Sequence, residues 1–447
     1  MVVLAVAFLS ATATAQPAVE LRCNDEAAGY WSSLSWPAND PVWTLDFRKP
    51  EHSSGQDGSG LEIRDVYYRG KLVLSRGHAP ILNVQYDTGS GCGCFRDWST
   101  DTATMAVTGP ISGCFASADA GSVQTTCDLP AGGDTGSFKG IAAEDFGDRL
   151  VLSTHMQAGW YRYRMFWIFH RNGRIEPRYS YTAATNVCTG GAHRHHVYWR
   201  LDFDIETASN NAVMEFTADQ PEGRRLLTEQ RLYSGPPQAE TNWLIFNTQS
   251  ELGYRLTPGS YDLQLPPDTF SDADGYVLRY QAGATGPLEL DDAGNQCAIN
   301  FSSLLNNESI NDTDIVFWYR GGAYHEPNDP WHCDMVGPTI EPVGDWGQHV
   351  SVDPNPTQDQ RFTLSAPFPN PAFADATVMF SVAEPVRVRV ILFDSLGRQL
   401  GVLYDDVPVA GESQSVRYDS SDLPAGTYTI RLVGPDYQGS VRATVVR

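Results

Sequence analysis

The chain has 447 residues, 41% of them hydrophobic, with 40 Gly, 28 Pro and 20 Tyr. That length allows two or three domains, and the composition suits an extracellular β-rich protein. A formal net charge of −23 argues against a nucleic-acid partner, whose phosphates need a basic surface. Such acidity serves solubility or salt adaptation, and it would also draw in cationic amines.

In chain order, residues 1–15 come first: an apolar run ending Ala13-Thr14-Ala15 before Gln16, the A-x-A pattern of a cleaved secretory signal. The run lacks a positive n-region, so the start codon is expected upstream. It is too short to span a membrane, and no other stretch reads as a span. In an exported chain the eight cysteines (Cys23, Cys92, Cys94, Cys114, Cys127, Cys188, Cys297 and Cys333) favour disulfides over thiolate metal ligands. Their pairing stays open.

Residues 16–349 form one block of aromatic and β-branched segments between Gly/Asp/Pro turns, with almost no helical period. Strands are predicted over 61–68, 150–154, 163–170, 197–205, 242–247 and 314–320. Residues 350–365, with Asp353-Pro354-Asn355-Pro356-Thr357, read as a polar linker. Residues 366–447 form a second, smaller all-β module.

Chemistry concentrates at His193-Arg194-His195-His196-Val197-Tyr198-Trp199-Arg200-Leu201-Asp202-Phe203-Asp204. Side chains alternate along a strand, so His193 and His195 share a face, about 7 Å apart, where two imidazoles can chelate one transition metal. Asp202 and Asp204 repeat the alternation with hard oxygen ligands. His196 and His332 are expected on the surface or behind the metal ligands.

The His-x-His…Arg-Leu-Asp-x-Asp run resembles the copper-binding strand of the copper amine oxidases, the topaquinone-dependent enzymes. Further segments agree in order. Leu150-Val151-Leu152-Ser153 followed by Tyr161 and Tyr163 resembles the strand of the cofactor tyrosine. Phe166-Trp167-Ile168-Phe169 leads into an Asn172-Gly173 turn and an Ile175-Glu176 return. Asp314-Ile315-Val316-Phe317-Trp318-Tyr319 leads to His325. Tyr86-Asp87-Thr88-Gly89 resembles the family's catalytic-aspartate segment, and Gly91-Cys92-Gly93-Cys94 resembles the Gly-Cys-x-Cys just after it.

The resemblance implies a large antiparallel β-sandwich for 16–349, and a homodimer is expected from it alone. It assigns His193, His195 and His325 to Cu(II), Tyr161 to topaquinone and Asp87 to the catalytic base. It assigns Asp202, the Phe203 carbonyl, Asp204, Asp314 and the Ile315 carbonyl to a structural Ca²⁺, whose preference is for oxygen. The implied reaction takes a primary amine, O₂ and water to aldehyde, NH₃ and H₂O₂.

The chain departs from the family pattern around Tyr161. Trp160 stands where the family places Asn, Arg162 where it places an acid, and Gln157 where a Thr is usual. Ser75 stands where a tyrosine is expected to meet the quinone oxygen. The alternative is therefore a non-catalytic copper-binding surface protein on the same scaffold, or an adhesion sandwich with a vestigial site.

The C-terminal module, a small β-sandwich by expectation, opens Phe368-Pro369-Asn370-Pro371. It continues through strands 376–382 and 386–393, an Asp394-Ser395-Leu396-Gly397 turn and Leu423-Pro424-Ala425-Gly426-Thr427-Tyr428. It resembles the C-terminal sorting domain of the type IX secretion system of Bacteroidetes-like bacteria. That implies handling by the type IX machinery and a secreted or cell-surface destination.

Overall fold

The computed structural model describes residues 20–22, 30–55, 57–87, 91–128, 133–183, 188–235, 240–259, 262, 273–283, 286–287, 305–325, 333, 335–347, 362–364, 367, 372, 375–393, 399–411, 414–421, 423–434 and 438–445. The signal segment, Cys23, Cys297, His332, Thr88–Ser90, the Pro-Asn-Pro opening and the 394–397 turn lie outside them. The chain divides into two compact units, Met1–Gly347 and Gln348–Arg447. The strand Phe362–Leu364 pairs with Asp375–Val382, so part of the expected 350–365 linker is already sheet.

Among the described residues of the first unit the regular secondary structure is strand, apart from two short 3-10 turns at Pro50–His52 and Cys188–Gly190. Among these residues two mainly antiparallel sheets, of ten and eleven strands, dominate the unit, beside a two-stranded pair, Ala282–Gly283 with Gly286–Pro287. In the ten-stranded sheet the central run is Glu62–Tyr68, Lys71–Tyr86, His193–Phe203, Ile315–His325 and Gly275–Arg279, with Cys94–Asp97 added to Lys71–Tyr86. In the other, Arg149–Ala158, Tyr161–His170 and Ile175–Ala183 lie side by side. The predicted strands are all present. Most extend further than the patterns suggested, and Asn242–Asn247 has the expected bounds.

The sheets meet over one core. Along Tyr161–His170 alternate residues are buried, so Tyr161, Tyr163, Met165, Trp167 and Phe169 point inward, as period-two alternation requires. Trp167 reaches across to donate its indole N–H to the Leu61 carbonyl at 2.9 Å. Trp243 meets Phe317 at 5.6 Å between ring centroids.

The His193–Phe203 strand differs, being buried on nearly every residue. Val197, Trp199, Leu201 and Phe203 belong to the inter-sheet core. Tyr198 belongs to a second cluster on the outer face with Ile81, Tyr276, Leu278, Val316 and Trp318. A strand covered on both faces reads as a continuous apolar run rather than an alternating one.

The described residues of the second unit form a three-stranded sheet and a four-stranded sheet over their own core, including Val378, Phe380, Val390, Ile430 and Leu432. Tyr428 donates its hydroxyl to the Pro424 carbonyl at 2.7 Å.

Candidate active site and metal centres

Register builds the first site. His193 lies opposite His325 on one side and opposite Tyr86 on the other, so three adjacent strands present these residues at one level. Tyr161 comes from the facing sheet. It follows a two-residue hairpin loop, with Ala158 paired to Tyr161 and Gly159 at φ +53°. A positive φ at the first loop residue is the geometry for which glycine is suited.

The Tyr161 hydroxyl donates to His193 Nε2 at 2.6 Å. His325 Nδ1 lies 2.8 Å from the same nitrogen. His193 Nδ1 faces the Gly191 carbonyl at 2.7 Å, which fixes Nε2 as the nitrogen turned toward Tyr161 and His325. His195 stacks on Tyr181 at 3.7 Å between centroids and meets Tyr161 edge-on at 4.6 Å. Burial pushes the Tyr161 hydroxyl well above its usual range, and the neighbouring Tyr86 adds to this.

Two of the three predicted copper nitrogens therefore converge, and the donor chemistry suits Cu(II), which prefers imidazole. Among the described residues, the trio whose ligand atoms all lie within 4.8 Å of one another is Asp202, Asp204 and Asp314, not the histidines.

The surroundings of Tyr161 correct several expectations. Tyr86, on the Lys71–Tyr86 strand, donates its hydroxyl to Tyr161 Oη at 3.2 Å. Trp160 in turn donates its indole N–H to Tyr86 Oη at 3.0 Å, with Phe95 edge-on to both rings. A tyrosine, Tyr86, thus contacts the Tyr161 oxygen although Ser75 stands at the position where one was expected, and Trp160 takes part in the cradle. Ser75 instead hydrogen-bonds Asp202 and Asp204. Arg162 points outward to Asp134 at 2.8 Å, since neighbours on a strand take opposite faces.

Asp87 is not brought to Tyr161. It pairs with Arg194, the residue between the two inward histidines, and so lies on the opposite face from Tyr86. The carboxylate near the aromatic cluster is Asp97, which accepts a hydrogen bond from the Tyr163 hydroxyl. Burial pushes Asp97 up to about 7, with the Tyr163 bond opposing. Nothing in the sequence distinguished Asp97 from other acids.

The second site lies at the far end of the His193–Phe203 strand. Asp202 and Asp204 meet Asp314, which precedes the His325 strand. Phe203 and Ile315 stand opposite each other in register. Burial raises all three carboxyls, with Asp204 at about 7 and Asp314 at about 8, and the acids' mutual repulsion reinforces this for Asp204 and Asp314. Asp202 also pairs with Arg200 at 3.2 Å. Asp204 Oδ1 and Asp314 Oδ1 are buried without a hydrogen-bond partner. Buried carboxylate oxygens left this way are costly unless a cation takes them.

Disulfides join Cys92 to Cys188 and Cys127 to Cys333. Cys94 and Cys114 are also disulfide-bonded. Among the described residues no helix is long and apolar enough to cross a membrane.

Residues 141–330 match the family model described as copper amine oxidase, enzyme domain. The matched segment contains Tyr161, the three histidines and the three aspartates, and it excludes Asp87, Asp97 and the C-terminal unit. Among solved structures, the chain is similar to a copper-containing benzylamine oxidase from Hansenula polymorpha, with 13% identity, a TM-score of 0.50 and coverage of 77% of this chain and 63% of that one. An Aspergillus nidulans amine oxidase matches at 16% identity and TM-score 0.48, covering 76% and 55%. Pichia pastoris lysyl oxidase matches at 14% and 0.48, covering 82% and 55%. The fold is thus copper amine oxidase-like, and the chain spans less than two thirds of the length of these structures. No curated protein matches the chain.

Proposed function

We propose that this protein is a copper-dependent primary-amine oxidase-like enzyme, with Tyr161 as the precursor of topaquinone and His193, His195 and His325 as copper ligands. One observation carries the reading: the Tyr161 hydroxyl lies on His193 Nε2 at 2.6 Å, with His325 Nδ1 beside the same nitrogen. Copper and a Tyr161-derived quinone would supply an electrophilic carbonyl for the amine and a path for its electrons to O₂. The chain's own residues do the rest. Tyr86 and Trp160 orient the Tyr161 oxygen through two donated hydrogen bonds. His193 Nε2, which accepts the Tyr161 hydrogen bond here, is the nitrogen that copper would take, and Tyr161 itself is buried between the sheets.

A second reading, a copper-binding protein without quinone chemistry, is favoured by the placement of Asp87 against Arg194. The hydroxyl partners of Tyr161 are Tyr86 and His193, with no carboxylate among them. Phenylhydrazine labelling of copper-loaded, aerobically incubated protein, followed by peptide mass mapping, separates the two. An adduct at Tyr161 that is absent in Tyr161→Phe supports oxidation. Bound copper with Tyr161 unmodified leaves the second reading.

The oxygen cluster is proposed to hold a structural Ca²⁺ through Asp202, Asp204, Asp314 and the Phe203 and Ile315 carbonyls, a donor set suited to that ion. The second unit is read as a type IX sorting module that delivers the first to the cell surface. Loss of surface delivery when 348–447 is deleted would support this, and unchanged delivery would refute it.

A further inference from the structure

His195 is held differently from His193. The Nδ1 of His193 has a carbonyl acceptor, Gly191. The Nδ1 of His195 meets instead the hydroxyl oxygen of Tyr163 at 3.4 Å, and that hydroxyl donates to Asp97 Oδ2. A phenol has a single hydrogen. With it committed to the buried Asp97 carboxylate, the Tyr163 oxygen is left to accept from His195.

We propose that Asp97 is a positioning residue that acts through Tyr163 to hold His195 as its Nδ1–H tautomer, leaving Nε2 as the lone-pair nitrogen for a metal. Partners of this kind orient metal-binding imidazoles and set which nitrogen is protonated. Here the partner is a two-link relay rather than a direct carboxylate. Tyr161, Tyr181 and His193 also face the His195 ring, and they fix its plane. Tyr163 packs against Tyr161 at 5.6 Å between centroids, so the relay runs directly behind the proposed cofactor residue. The use made of the tautomer rests on the copper reading; the tautomer itself does not.

The test is long-range ¹H–¹⁵N correlation on the full-length, metal-free protein labelled with ¹⁵N-histidine at pH 8, with His195 assigned through His195→Gln. Wild type is expected to show His195 protonated at Nδ1. Tyr163→Phe, which keeps the ring, and Asp97→Ala are each expected to shift His195 toward Nε2–H while His193 stays unchanged. Both should weaken Cu(II) binding by about 10–100-fold. The double variant should bind no more weakly than Tyr163→Phe, because both lie on one path. Asp97→Asn, whose amide oxygen can still accept, should restore much of the Nδ1–H signal. A wild-type His195 protonated at Nε2, or a tautomer unmoved by both variants, overturns the proposal. A protein that binds no copper yet shows the expected tautomer and its response supports the relay and sinks the copper reading alone.

Discussion

Asp262 is a buried carboxylate that holds the His325 strand from behind. It accepts from Tyr319 Oη at 2.6 Å and from the amides of Gly259 at 3.2 Å, Gly322 at 3.3 Å and Gly337 at 3.2 Å. Burial still dominates, pushing its carboxyl from 3.8 up to about 6 against the pull of these donors and Arg178. Between pH about 4 and about 6 the folded protein therefore keeps a proton that the unfolded chain releases. Raising the pH through that window removes stability. A shift of about 2 units corresponds to about 3 kcal/mol.

Asp262→Asn is neutral throughout. Its amide group, turned toward amide donors, adds a pH-independent loss of about 1–3 kcal/mol. In urea unfolding followed by tryptophan fluorescence, the free energy of the variant minus that of wild type should rise by about 3 kcal/mol from pH 4 to pH 7 and then level off. The other buried acids are present in both proteins and cancel in the difference. A difference that is flat from pH 4 to 7, or that falls, would refute the reasoning.

Three further outcomes are expected. Calcium added to chelator-treated protein should raise the melting temperature, by about 2.7 kcal/mol of stability at a hundredfold excess over Kd; Asp204→Asn should blunt that rise, and identical melting in calcium and chelator would rule the site out. Trp160→Phe keeps a ring against Phe95 but removes the donor to Tyr86, so stability should fall by about 0.5–1.5 kcal/mol and phenylhydrazine labelling of Tyr161 should drop. Gly321→Ala would place a Cβ 2.5 Å from Trp199 Cζ3; unfolding midpoints should show a loss of about 1–3 kcal/mol from overpacking.

Much of the site was legible because it rests on spacing. His193 and His195, two apart on a strand, had to share a face, and both face Tyr161. Asp202 and Asp204 share a face for the same reason, whereas Asp314 was joined to them by the family resemblance and is brought there by strand pairing. Tyr86 was harder to read. Ile81 and Leu82 are both apolar because both faces of their strand are covered, and that erases the alternation that would have shown Tyr86 inward and Asp87 outward. Asp97 and Asp262 carried no local signal. Their importance comes from burial and from partners far along the chain: Tyr163 for one, Tyr319 and the amides of Gly322 and Gly337 for the other. Alternation allowed the outward turn of Arg162 without deciding it, and its contact with Asp134 settles it; the role of Trp160 depended on a hydrogen bond across the sandwich.

The His193–Phe203 strand carries imidazoles at one end and carboxylates at the other, and the Ile315–His325 strand mirrors it in reverse, with eleven paired positions between them. His195 and Asp202 are separated by about 23 Å of extended chain. That stretch acts as a ruler. One residue inserted or removed within it would turn the histidines or the aspartates to the opposite face, so one end keeps its donors only at the expense of the other. Substitutions along it are matters of packing, but a change of length is a change of frame. Related chains that keep both sites should vary freely in loop length around these two strands and hold the count between the sites constant.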